Sequence, residues 1–339
     1  MVKLNKNIKG GYENNKTIDI TNINISQYKK RPVDNGNQGT TKQIDVELES
    51  IRSSEIRPKN EKDLKCAPSK KFENGSCIPL YILVEMAKAY NSENPDNLIR
   101  LDSTHETINP KKYKRYLVKQ FQIKLNKVCD DQKCWVKQKF MDKLKGIMKE
   151  ELEKDTFRPK GPEKKTTWLN TNNIDQTMEQ YEKKYPDFKF LGAVPIDFDS
   201  LESINIRKLD YKKDLMDKGK NRIGIIFNLD EHDQPGSHWV SMYVDLNKGV
   251  VYFSDSYGVE PAERIRKLMK RFALFIKDNL GKKPVVDYNK LRHQYNSFDC
   301  GVYSINFILR LLRGDSFEEL TTKRLPDEEV NKCREFYFT

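Results

Sequence analysis

The sequence predicts an α+β chain in three stretches: a flexible polar tail over residues 1–60, a helical basic arm over 61–160, and a core over 161–339 in which a mixed sheet packs between helices. Three observations carry this reading. Apolar residues recur at helical spacing through residues 78–154. Short apolar or alternating runs follow between residues 190 and 288, and helical spacing returns after Cys300.

Taken in order, residues 1–60 are rich in Asn, Lys, Thr, Ser and Gln with scattered Ile and no sustained period, a composition that buries too little to order itself. Residues 78–91, 113–128 and 134–154 each suit a period of 3.6 and are expected as helices. Pro159, Gly161 and Pro162 break the pattern and mark a linker. The core is expected to open near Thr166 with a helix through Met178 and Tyr181. Strands follow at Phe190–Val194, Ile223–Leu229, Trp239–Leu246, Val250–Ser254 and Pro284–Tyr288. A long helix from Pro261 to Leu280 has proline in its first turn and Ile265, Leu268, Met269, Phe272 and Phe275 on one face. Helices after Cys300 and around Pro326–Phe336 complete the set.

Composition excludes more than it identifies. The 339 residues, 37% of them hydrophobic, can bury one good core and a smaller module. No run approaches eighteen apolar residues, so no membrane span is expected. The absence of a signal-peptide apolar stretch argues for synthesis in the cytosol. Six cysteines at this length do not suggest a secreted disulfide framework. The net charge of +12 is uneven: residues 1–160 hold an excess of eleven positive charges and residues 161–339 an excess of one.

The most informative stretch runs from Gln294 to Leu312. It puts Cys300 at the mouth of an apolar-periodic helix (Val302, Ile305, Ile308, Leu309, Leu312), with the Gln294 amide six residues upstream. A thiol at a helix N-terminus meets the positive end of the macrodipole, which favours its thiolate. His238 opens the strand at 239–246, and a short turn through Asn247, Lys248 and Gly249 leads to the next strand. An antiparallel hairpin therefore brings His238 and Asp255 to the same end, where the carboxylate can hold one imidazole nitrogen and leave the other for a thiol. Taken singly, these are a small buried hydrophobe, a strand-edge histidine, a turn aspartate and a loop amide. Their order and spacing together carry the chemistry of a nucleophile, a base, an orienting group and an oxyanion donor.

Gln294, Asn296, Asp299, Cys300, Gly301 and Tyr303 spell Q-x-N-x-x-D-C-G-x-Y, which resembles the nucleophile motif of the SUMO-protease and adenovirus-protease superfamily of cysteine peptidases. The pair His238–Trp239, the interval to Asp255 and the triplet Trp168-Leu169-Asn170 are similar to other motifs of that superfamily. The likeness runs from about Thr167 to the C-terminus. Within the superfamily the chain looks most like the maturation proteases of large DNA viruses, the African swine fever virus type among them.

The resemblance implies a papain-like core, a His238–Asp255–Cys300 triad, and an oxyanion site made by the Gln294 side chain and the Cys300 backbone N–H. It also implies a narrow tunnel under Trp168 and Trp239 that passes only glycine or similarly small residues, with Gly301 leaving room for the acyl group. The expected activity is a cysteine endopeptidase cutting after Gly-Gly-like sites in viral structural polyproteins, in the virion and the host cytoplasm, with no cofactor and no metal. Two alternatives are a deconjugating protease for SUMO or another ubiquitin-like modifier and a basic virion binding protein whose protease fold is unused.

Several features sit beside this reading. Lys111, Lys112, Lys114, Arg115, Lys119, Lys124 and Lys127 interleave with Tyr113, Tyr116 and Phe121, so the arm is a candidate for nucleic acid or simply a solvated helical face. Cys66, Cys77, Cys129 and Cys134 lack a C-x-x-C pair, which favours buried thiols or a late disulfide over zinc. His232 and His293 are rival bases. Ile8-Lys9-Gly10-Gly11-Tyr12 has the form of a self-cleavage site after Gly11.

Overall fold

The structure, a computed structural model, describes residues 61–339 apart from residues 145 and 205. The polar stretch 1–60, with the Gly11 site, lies outside the described residues.

Three apolar clusters organise the chain. The first belongs to the arm, where α1 (Leu80–Glu93), α2 (Ser103–Ile108), α3 (Pro110–Leu125), α4 (Gln132–Trp135) and α5 (Ile147–Asp155) surround Tyr113, Tyr116, Phe121, Trp135 and Phe140. Helix α3 forms because its apolar residues Tyr113, Tyr116, Leu117, Val118 and Phe121 share one face, while Pro110 pre-sets the first turn. Burying each large apolar side chain contributes about 1.5–3 kcal/mol before entropy is counted. Disulfides join Cys66 to Cys77 and Cys129 to Cys134.

The single helix expected over 134–154 is broken. After α4 comes a short 3-10 turn, Lys139–Lys143, and α5 restarts only at Ile147. Gly146 adopts φ +65°, a left-handed value outside helical geometry, so no helix runs through it. The linker residues do leave the helical pattern, but they are fastened. Thr339 N–H donates to the Pro159 carbonyl at 2.9 Å, and Lys133 Nζ donates to the Arg158 carbonyl at 2.9 Å.

The rest of the chain builds a five-stranded mixed sheet in the order β1 (Phe188–Pro195), β2 (Arg222–Asn228), β3 (Trp239–Asp245), β4 (Val250–Ser254) and β5 (Val285–Tyr288). The β2–β3 and β3–β4 pairs are antiparallel, while the outer pairs, β1–β2 and β4–β5, are parallel. Central strand β3 is buried along its whole length. Its alternating side chains divide between two clusters, as the period of two requires. Trp239 and Tyr243 join α8 (Cys300–Arg313) and α6 (Thr171–Lys184), whereas Val240, Met242 and Val244 join α7 (Glu263–Leu280). Helix α6 begins at Asn170, whose side chain makes a capping box with Asn173. Pro261, expected inside α7, stands before it; the cap is Ala262. The chain ends with α9 (Phe317–Thr322), α10 (Asp327–Lys332) and α11 (Arg334–Tyr337). Helix α8 thus crosses one face of the sheet with its N-terminus at the end where the β3–β4 hairpin opens. Among the described residues no helix is long and apolar enough to cross a membrane.

Candidate active site

His238 immediately precedes β3 and Asp255 immediately follows β4. The antiparallel register Ser241↔Ser254 places both at one end of the hairpin. Their side chains meet there, with His238 Nε2 2.7 Å from Asp255 Oδ1, and both are buried. Asp255 is itself held, because its Oδ1 also accepts from the Tyr257 N–H at 2.8 Å and its carbonyl accepts from Asn289 Nδ2 at 2.8 Å. The Tyr257 ring stacks on the His238 ring at 4.5 Å with 7° between planes, fixing its tilt.

With Nε2 committed to Asp255, the other imidazole nitrogen is left free of that carboxylate, and Cys300 is near enough to act on the charge of the ring. Burial opposes the imidazolium, but the hydrogen bonds and charges of Asp255 and Cys300 together outweigh it and lift the His238 pKa to about 9. Cys300 is the first residue of α8, and it is one of two free cysteines among the described residues. Only 2% of it is exposed.

Gln294 is fully buried and its amide is oriented. Oε1 accepts from Ser256 Oγ at 2.6 Å, and Nε2 donates to the Asn296 carbonyl at 2.9 Å. Ser256 also holds the backbone, its carbonyl accepting from the N–H groups of His293 and Gln294. Nε2 also lies 3.3 Å from Asn296 Oδ1, the longer of its two contacts with that residue. The turn before Cys300 is tied as well: Asn296 Oδ1 accepts from the Phe298 and Asp299 N–H groups. Asp299, fully buried beside Cys300, pairs with Arg334 at 2.9 Å and accepts from Asn331 Nδ2 at 3.0 Å.

The two tryptophans are placed differently. Trp239 is buried and its indole Nε1 donates to the Leu169 carbonyl at 2.8 Å, whereas Trp168 is 42% exposed. Both line a cleft of about 370 Å³ together with Leu169, Ala193, Glu231 and His232. A side chain on Gly301 would meet Leu169 Cβ at 3.1 Å and Trp239 Cδ1 at 3.3 Å. The glycine therefore admits this packing, a requirement of the fold beside the acyl-group reading.

The rival histidines have other partners. His232 is exposed, with Nδ1 2.6 Å from Asp197 Oδ2. His293 Nδ1 accepts from the Leu325 N–H at 3.0 Å, and burial pushes its pKa down. Among the described residues no group of three or more His, Cys, Asp or Glu side chains is arranged to hold a metal ion. Ser256, Asn331 and Arg334 join the site through contacts that span up to 38 residues and leave no local pattern, whereas Tyr257 lies two residues from Asp255 and its ring carries no motif.

The model of the Ulp1 protease family, C-terminal catalytic domain, matches residues 134–339. A putative thiol protease of Acanthamoeba polyphaga mimivirus is 43% identical over 281 residues, covering 80% of this chain and 92% of its own length. A cysteine protease of African swine fever virus is 28% identical over 247 residues, 67% of this chain and 89% of that protein. A crystal structure of the African swine fever virus protease superposes with a TM-score of 0.51 at 22% identity, covering 84% of this chain and 98% of the other, and shares the fold. The chain belongs to the Ulp1 family of cysteine proteases.

Proposed function

We propose that the protein is an endopeptidase in which Cys300 is the nucleophile, His238 the base and acid, Asp255 the group that orients it, and Gln294 an oxyanion donor. The observation that carries this is the buried Asp255–His238 hydrogen bond at 2.7 Å, on a histidine whose charge Cys300 helps to favour; the Gln294 amide, fixed by Ser256 and Asn296, supports the oxyanion role. His238 takes the thiol proton, and the thiolate attacks the scissile carbonyl. The developing oxyanion is met by the Gln294 amide and the Cys300 N–H, donors set before the reaction begins. His238 then protonates the leaving amine and activates water for deacylation.

The favoured cut follows a Gly-Gly-like pair. A thiol only 2% exposed, whose neighbour Gly301 packs against the cleft wall at Trp239, is reached best by a chain without side chains. The likeness to enzymes of two large DNA viruses supports processing of structural polyproteins in the virion and host cytoplasm. The test is cleavage of Gly-Gly-X peptides by the full chain, with new N-termini in a virion lysate absent for Cys300→Ala. An active preparation that cuts no Gly-Gly peptide overturns it.

A second reading, release of a ubiquitin-like modifier, rests on relatives described as SUMO-1 cysteine proteases. A modifier–fluorophore conjugate hydrolysed far faster than a short Gly-Gly-X peptide would favour it. A binding protein with an unused protease fold fits poorly with a buried, fully partnered His238–Asp255 pair, whose desolvation is costly to maintain.

A further inference from the structure

The His238 ring begins a column of stacked groups. Tyr257 lies on it at 4.5 Å, the Arg292 guanidinium lies 5.2 Å from the Tyr257 centroid and 4.7 Å from that of Tyr295, and the Arg324 guanidinium covers Tyr295 at 4.5 Å. Arg292, Tyr295 and Arg324 are exposed, Tyr295 at 62%. Arg292 Nε donates to the Gln294 carbonyl at 2.9 Å, which ties the column to the oxyanion loop. Among the described residues Arg292 has no carboxylate within ion-pair distance. Arg324 has only Asp327, at 3.7 Å, which is already engaged by the Tyr303 hydroxyl and the Tyr295 N–H. Two guanidinium groups therefore face one preoccupied carboxylate. The cleft under Trp168 and Trp239 differs, since Asp230 and Glu231 line it.

The direction of the reaction assigns the two sides. The acyl half of the substrate stays on Cys300, beside the tryptophan cleft. The amine half takes its proton from His238 and so leaves across that ring, toward Tyr257 and the arginines. Steps of 4.5 Å and 5.2 Å from His238 to Arg292 correspond to about two residues of extended chain, at roughly 3.3 Å per residue with side-chain reach added. We propose that Arg292, Tyr295 and Arg324 form a subsite for the leaving half of the substrate that takes an acidic side chain at the second residue after the cut. The inference rests on the protease reading above and adds a preference to it. The chain's own Gly10-Gly11-Tyr12-Glu13, outside the described residues, has this form.

The test compares kcat/KM of the full chain on the peptide Ile-Lys-Gly-Gly-Tyr-Glu-Asn and on its counterpart with lysine in place of glutamate. Glutamate should be preferred by about tenfold, since each exposed charge pair contributes only modestly and two arginines act together. The double variant Arg292→Glu/Arg324→Glu should invert the ratio, and Arg324→Gln alone should lower it by about threefold. The ratio is internally normalised, so a general loss of activity does not mimic the effect. A flat wild-type ratio, or a preference that survives the charge reversal, overturns the subsite. A Gly-Gly aminocoumarin amide, which has no residue after the cut, separates the two readings. Hydrolysis of that amide with a flat peptide ratio removes the subsite and leaves the protease standing, whereas failure to cut any of the three substrates removes both.

Discussion

In the arm, buried polar groups close on one another. Ser76 Oγ donates to Gln132 Oε1 at 2.6 Å, Lys114 Nζ donates to the Ser76 carbonyl at 3.0 Å, and the Gln132 N–H donates to Asp63 Oδ1 at 2.7 Å. In the sheet core, buried polar groups converge instead on three positions at one edge, His238, Gln294 and Asp299. The electrostatics differ in sign. Burial pushes Asp63 up to about 6 and Lys114 down to about 8, both toward their neutral forms. At His238 the partners outweigh burial and the charged form is favoured. A buried group retains its charge where close partners of opposite charge are supplied, and this chain supplies them at the candidate active site.

The contrast can be broken or sharpened by experiment. Cys300→Ala should abolish peptide cleavage by at least about 10⁴-fold while leaving the melting temperature near wild type, since the nucleophile acts with its base as a unit. A variant that retains a tenth of the activity would remove Cys300 from its role. Arg334→Met strips the buried Asp299 of its cation and should cost about 3–5 kcal/mol of stability, read by urea denaturation; an unchanged midpoint would mean the pair contributes little. Gln294→Ala should lower kcat by about 10²–10³-fold with a much smaller change in KM, as expected for a donor used in the transition state. An effect confined to KM would place the amide in ground-state binding.

The arm should respond in stability and hardly in rate. Removing the Cys66–Cys77 bridge, which closes 11 residues, should cost about 2–3 kcal/mol, and calorimetry of Cys66→Ser/Cys77→Ser checks it. The smallest effects are the pH windows. Asp63, raised from 3.8 to about 6, contributes stability that is fully present below pH 3.8 and lost as pH rises through about 6. The contribution of His238, raised from 6.5 to about 9, is present below pH 6.5 and lost as pH rises through about 9. Denaturation midpoints measured from pH 4 to 10, with Asp63→Asn and His238→Gln as controls, separate the two; identical windows would erase the contrast.

The sheet was legible because β-branched and aromatic runs alternate under a period of two; Val250–Ser254 has the bounds its residues suggest. The hairpin argument needed only strand direction to bring His238 and Asp255 to one end, where they lie 2.7 Å apart. What escaped depends on contacts distant in sequence. The break near Gly146 is invisible to periodicity, since α4, the 3-10 turn and α5 carry apolar residues at nearly helical spacing and feed the same apolar cluster. Arg334 reads as a surface charge in a short amphipathic segment, and only the fold brings it to Asp299, 35 residues earlier. For Gly301 the packing against Leu169 and Trp239 was not legible, because those neighbours lie far away in the sequence.

The near-complete enclosure of the Cys300 sulfur has a consequence for chemical durability. Four arm cysteines are joined in pairs, while Cys300 is unpaired and buried. Oxidation by peroxide requires access as well as thiolate character. With 2% of Cys300 exposed, a dissolved oxidant meets little of this residue, so its oxidation should be slow compared with that of an open thiol.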